Sequence, residues 1–359
     1  MKKLIILLIL LFSFFIPASA ETDLPEEIDI LEDAAESAKK FDPDFDYKKE
    51  VQDGLSGKGA DGTGILKKII IFFSDALKEG MGDAFKIMLT VFIFGIILKF
   101  IPPGSAADAA FFATYTVIFT MALFIFNKTA NIAITVINEM NFFVKAAVPV
   151  MCTLSVPGGK FISSVSTAAV IGGICAVTES AAKILMPLTC MMASLSAANN
   201  LSPEITLKGL ETTIKKIISW SIGIIMTVFV SLIKIRGLTG AGLDNITGKT
   251  LKFAVGNMVP IVGGLISDSL ENIISYSNAI LGSCGAAGII ALIYMIIPPV
   301  VKIAGILVAL RLTGIVTSPV SDGRITCTID NFSDILGIVL VITVMVCILF
   351  IIAMGSLAV

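Results

Sequence analysis

The chain has 359 residues, 56% of them hydrophobic and 15% charged, with a mean hydropathy of +0.95. A water-soluble domain of this length needs more polar surface, so the composition predicts an all-α, polytopic transmembrane helical bundle. The formal charge is −2, there is no histidine, and the six cysteines show no CxxC spacing; His-dependent hydrolysis, HExxH zinc chemistry and a nucleic-acid footprint are excluded.

Residues 1–20 carry Lys2 and Lys3, an apolar run from Leu4 to Ile16, Pro17, and the small-residue exit Ala18-Ser19-Ala20. That order predicts a secretory signal peptide cut after Ala20, leaving an extracytoplasmic Glu21; a retained anchor helix is the alternative. Residues 21–50 then hold 12 of the 28 acids and 4 of the 26 basic residues. Leu24, Ile28, Leu31, Ala35 and Ala38 recur at helical spacing, and 52–64 is Gly-rich, so 21–64 is expected to be an acidic, solvated extracytoplasmic segment ending in a linker.

Ile65, Ile69, Phe72, Phe73 and Ala76 share one face, predicting an amphipathic interfacial helix over 65–83. The transmembrane domain follows over 84–359. Its first span runs from Ala84 to Ile101, with Lys86 and Lys99 snorkelling, and stops at Pro102-Pro103-Gly104. A second span covers 109–126, and 131–156 suits an interfacial or re-entrant helix. The Ser/Thr/Ala/Gly composition of 161–177 fits a helix packed inside a bundle. Pro187 marks a break before 188–198. A span over 213–235 leads to a basic loop, 234–252, placed in the cytoplasm. The long apolar stretch 253–317 reads as an amphipathic lead-in and two spans separated by Pro298-Pro299. A last span covers 333–353. The total is about seven or eight spans, with Pro187 and Pro298-Pro299 as either breaks or kinks.

A shift of 111 residues superposes Pro149 on Pro260 and Pro187 on Pro298, with Phe142, Ile162 and Ala193 among the other identities. The spacing points to an internal repeat, 142–198 against 253–309, of the kind that places a pathway between two halves; chance likeness between apolar helices is the plainer account.

The run Gly240 to Thr250 lacks the P-loop glycine, since Leu243 stands at that position, and it follows a span rather than a strand; no ATP site is expected. Glu179 and Lys183 stand four apart, where a helix pairs them, and Lys302 lies just beyond the double proline. Together they are candidates for a polar pathway, against the blander readings of a neutralised pair near a helix end and a snorkelling lysine. Asp268 and Glu271 read as a wet interfacial face. No residues are expected to be catalytic, to bind a cofactor or to hold a metal.

The run Arg236-Gly237-Leu238-Thr239-Gly240, followed by Asp244 through Gly263, resembles the stage III sporulation protein AE family of endospore-forming Firmicutes. Asp244, Lys249, Asn257, Pro260 and Gly263 carry that likeness, the last three as Asn-x-x-Pro-x-x-Gly. The order of parts agrees: signal peptide, acidic external segment, polytopic body. The resemblance implies a multi-pass subunit of a channel complex in the mother-cell membrane around the forespore. It implies as partners a secretion-type ATPase, ring-forming membrane proteins of the same operon and a forespore-side ring protein, with membrane lipid around it and self-association open. The N-terminal region is shorter than in long family members, which puts contacts made there in question. The competing reading is a stand-alone secondary transporter with its substrate site at the repeat interface, and a membrane scaffold without a pore is a third.

Overall fold

Pro149, Pro187 and the Pro298-Pro299 pair do not end helices. The computed structural model describes residues 24–56, 62–158, 161–201, 207–229, 231 and 263–358, with side chains left aside at 62–66, 161–164, 263–273 and 358. Each of these prolines lies inside a continuous helix. A proline removes one backbone donor and crowds the carbonyl four residues back, but packed neighbours on both sides of it keep the helix going.

Six long helices result among the described residues: α3 (Gly62–Phe100), α4 (Ser105–Ser155), α5 (Phe161–Leu201), α6 (Lys208–Phe229), α7 (Gly263–Thr317) and α8 (Gly323–Ala358). All six are long and apolar enough to cross a membrane. The bundle is therefore all-α and polytopic, with six candidate spans among the described residues beside the seven or eight expected of the whole chain. The 65–83 stretch is continuous with the span after it as the first half of α3, and 131–155 is the second half of α4. At 1.5 Å per residue, the 51 residues of α4 and 55 of α7 extend to about 76 and 82 Å, more than twice a hydrocarbon core.

The turn between α3 and α4 is made by Pro102-Pro103-Gly104, where Gly104 has φ +150°, a backbone region open to glycine, and its carbonyl accepts from Ala107. Neighbours then alternate in direction. Tyr115 of α4 donates to the Ala197 carbonyl of α5 at 2.6 Å and meets Thr328 of α8 at 2.8 Å, while Asn331 of α8 donates to Ser196 at 2.7 Å. These bonds hold α4 and α8 parallel with α5 against both. Phe126, Phe143, Phe332 and Phe350 fill the core between them. α3 runs parallel to α7 and touches it backbone to backbone: a Cβ on Gly305 would lie 2.9 Å from the Ala76 carbonyl carbon, and one on Gly80 would lie 3.0 Å from the Ile306 Cα.

The acidic N-terminal segment is not a solvated tail. It folds as α1 (Glu27–Ala34), a 3-10 turn (Glu36–Lys40) and α2 (Tyr47–Leu55), whose N-cap Asp46 accepts from the Lys49 amide at 2.9 Å. Ile28, Leu31, Ala38, Tyr47 and Val51 are fully buried. Tyr47 donates to the Cys284 carbonyl of α7 at 2.6 Å, Phe41 and Phe45 pack on Tyr294, and Phe41 also meets Phe72 of α3. Lys40 pairs with Glu139 of α4 at 2.5 Å, and Lys68 of α3 with Asp42. The regular apolar spacing in this segment serves burial against the bundle, and the acids occupy its outer side.

The sequence repeat does not extend to a common shape. Its first copy leaves the helix in a turn at 156–158, whereas the positions 111 residues later, 267–269, lie within α7.

Candidate functional site

Two ion-pair networks cross the bundle, both anchored on α4. The first is built on α3, where Glu79 and Asp83 are one turn apart and therefore share a face. Lys302 of α7 reaches Glu79 at 2.8 Å. Lys128 of α4 bridges both acids, 3.2 Å from Glu79 and 2.9 Å from Asp83, and Lys86 closes on Asp83 at 3.2 Å. Three lysines thus face two carboxylates. The group sits beside the Gly80–Gly305 crossing, where the absence of side chains lets α3 and α7 approach closely enough for a lysine on one to meet an acid on the other.

The second network contains the predicted pair. Glu179 accepts from Lys183 at 2.8 Å along α5, and from Lys145 of α4 at 3.2 Å. The i,i+4 spacing foretold the first contact; Lys145 is an addition that spans two helices. Lys302 is paired with Glu79 rather than snorkelling, and it does not join Glu179 and Lys183. The three candidate pathway residues therefore fall into two separate clusters.

At one end of the bundle Arg311 of α7 bonds Asp334 of α8 at 2.6 Å and lies 3.7 Å from Asp330. In the turn between α7 and α8, burial would raise the Asp322 carboxyl, but two bonds from the Arg324 side chain and one from its amide hold it below the ordinary value. Arg324 also stacks 3.6 Å over the Phe111 ring.

The carboxylates are matched by lysines or arginines, and no cluster of three metal-ligating side chains occurs among the described residues. What the arrangement does is pair partly exposed charges between neighbouring helices, linking α3 with α4 and α7, and α4 with α5. Glu79, Asp83 and Lys128 were missed in the sequence, where 65–83 reads as an ordinary amphipathic helix. Asp244, Lys249, Asn257 and Pro260 lie outside the described residues, as do the signal peptide and the 234–252 loop; Gly263 is the first residue of α7.

The model of the stage III sporulation protein AE family matches residues 45–359. The chain belongs to that family. Among its relatives, stage III sporulation protein AE of Bacillus subtilis (strain 168) is 25% identical over 264 residues, which cover 73% of this chain and 66% of that protein. No solved structure matches. The family match takes in all six long helices and α2 with Tyr47, while α1 lies before it. The molecule is thus a sporulation-related membrane protein.

Proposed function

We propose that this chain is a non-enzymatic subunit of an export or feeding channel between mother cell and forespore, required for forespore development after engulfment. One observation carries the reading: membership of the stage III sporulation protein AE family, across a body with six long apolar helices among the described residues. A chain with no nucleotide-binding sequence that works in transport draws its energy elsewhere, and a secretion-type ATPase with ring-forming membrane proteins of the same operon supplies it in this account. The chain sits in the mother-cell membrane around the forespore, with its N-terminal segment extracytoplasmic and a forespore-side ring protein across the gap.

The stand-alone transporter is the weaker reading, because Glu179 and Lys183 do not converge with Lys302 on one substrate-sized site. The proposal is tested in sporulating cells that lack the chain. Forespore transcription should start and then collapse after engulfment, and the ATPase should lose its membrane partner in co-purification. Sustained forespore transcription without the chain would overturn the proposal.

A further inference from the structure

One face of α4 is exposed over 120–145, and at its lower end it meets neighbours: Asn138 borders Asp33 and Glu36 of the N-terminal segment, and Lys145 pairs with Glu179 of α5. Thr120, Asn127, Asn131, Thr135, Asn138 and Lys145 are exposed at helical spacings of three, four or seven along a single side of the helix, and the exposed rings of Phe124 and Phe142 fill the two gaps of seven. The ridge runs 25 residues from Thr120 to Lys145, about 38 Å at 1.5 Å per residue. Between these positions, Phe126, Ala133, Ile137 and Met140 point the other way and are buried.

The height of this ridge in the bundle is set by α8. Phe126 of α4 packs on Phe332 of α8, with ring centroids 6.3 Å apart. Lower down, Phe143 of α4 packs on Tyr47, whose hydroxyl lies over Gly288, the same glycine that Met354 of α8 covers. The stretch of α4 from 126 to 143 therefore lies alongside α8 from 332 to 354. From Ile335 to Leu357 α8 carries no charged residue, and its outward residues Val341 and Ile348 are apolar. At one and the same level, the molecule shows hydrocarbon on the α8 side and, on the α4 side, three amides and a threonine between the exposed rings of Phe124 and Phe142.

The asparagines decide what the second side faces. Thr120 satisfies itself by bonding the Thr116 carbonyl at 2.7 Å, which lipid tolerates. Asn127, Asn131 and Asn138 make no side-chain hydrogen bond among the described residues, and an amide left unpaired against acyl chains is strongly disfavoured. Charge flanks the ridge as well, with Lys128, Glu79 and Asp83 toward α3 and, toward α5, Glu179, which pairs with the ridge's own Lys145.

We propose that the ridge Asn127–Asn131–Thr135–Asn138 faces water within the membrane and is this chain's wall of the conduit. The word conduit rests on the channel reading above; the water exposure rests on the face alone.

The test is single cysteine substitution in the full-length chain, in membranes of sporulating cells where its partners are present. Asn131→Cys and Asn138→Cys are compared with Val341→Cys and Ile348→Cys on α8, and the parent chain gives the background from the native cysteines. A charged, membrane-impermeant methanethiosulfonate reacts only with thiols that meet water and can ionise. The α4 positions should react at least about tenfold faster than the α8 positions, while N-ethylmaleimide labels all four after denaturation. Equal or slower reaction on α4 overturns the proposal by placing the ridge against lipid. Protection from both reagents in the native membrane overturns it by placing the ridge against protein. A reactive ridge in a complex that passes nothing would keep this inference and remove the channel reading; an inert ridge in a complex that conducts would do the reverse.

Discussion

A side chain on Gly305 has nowhere to go, because the nearest atoms are the Ala76 carbonyl carbon at 2.9 Å, its oxygen at 3.0 Å and the Leu77 nitrogen at 3.1 Å, all of them backbone. Gly305→Val should push α3 off α7 and cost roughly 1–3 kcal/mol, read as a lower unfolding temperature in detergent. Gly82, on the same helix as Ala76, has nothing within 4 Å of a Cβ. Gly82→Ala should leave stability unchanged or raise it by up to about 1 kcal/mol through helix propensity. The ion pair next to that crossing makes a separate prediction. Glu79→Gln leaves Lys302 without its partner, and Lys302→Gln leaves Glu79 with only Lys128 at 3.2 Å. Both groups are more than a third exposed, so a double-mutant cycle in detergent should return a coupling of about 1 kcal/mol or less. A cycle with no coupling would mean that the pair is incidental. Neither the crossing nor the pair was legible in the sequence: Glu79 and Lys302 are far apart along the chain, and glycine spacing alone does not name the helix that approaches.

At the scale of elements, the cap formed by α1, the 3-10 turn and α2 depends on Tyr47. Tyr47→Phe removes one hydroxyl bonded at 2.6 Å and should cost about 1 kcal/mol, whereas Tyr47→Ala also empties a fully buried site and should cost roughly 3–5 kcal/mol. Hydrogen exchange over residues 24–56 would show the second as release of the cap. Burial, helped by the neighbouring Cys284 thiol, holds the Tyr47 phenol well above its ordinary value near 10, so the folded state favours the neutral form. Its contribution is fully present below about pH 10 and is lost as pH rises through the raised value. Release of the cap should therefore grow in strong alkali, and Tyr47→Phe should remove that part of the pH dependence. Asp322 works in the opposite sense: its depressed value stabilises the α7–α8 turn above about pH 4 and gives that up as pH falls. The helical spacing of Ile28, Leu31 and Ala38 was legible in the sequence. Its purpose was not, because the surface it covers comes from Cys284 and Tyr294 at the far end of the chain. The prolines misled for a related reason. Local rules register the lost hydrogen bond at Pro187 or Pro298 but not the packing on either side that carries the helix through.

For the whole molecule, hydropathy alone gave the class: long apolar runs, few charges and a helical bundle in lipid. The number of spans did not follow from hydropathy, since α4 and α7 each join two apolar runs across a proline or a polar stretch. The paired Glu179 and Lys183 were foreseen from spacing, but the larger Glu79 network and the amide ridge on α4 required knowing which helices touch. These features place charge and amides on one side of the bundle and leave α8 from Ile335 to Leu357 free of charge on another, as expected of a subunit that contributes one wall of a shared passage. The most direct measurement is flux of a small solute through liposomes holding the purified chain, with and without the ATPase and the ring-forming proteins. The account predicts flux only when the partners are present. Solute movement by the chain alone, saturating and driven by an ion gradient, would contradict it.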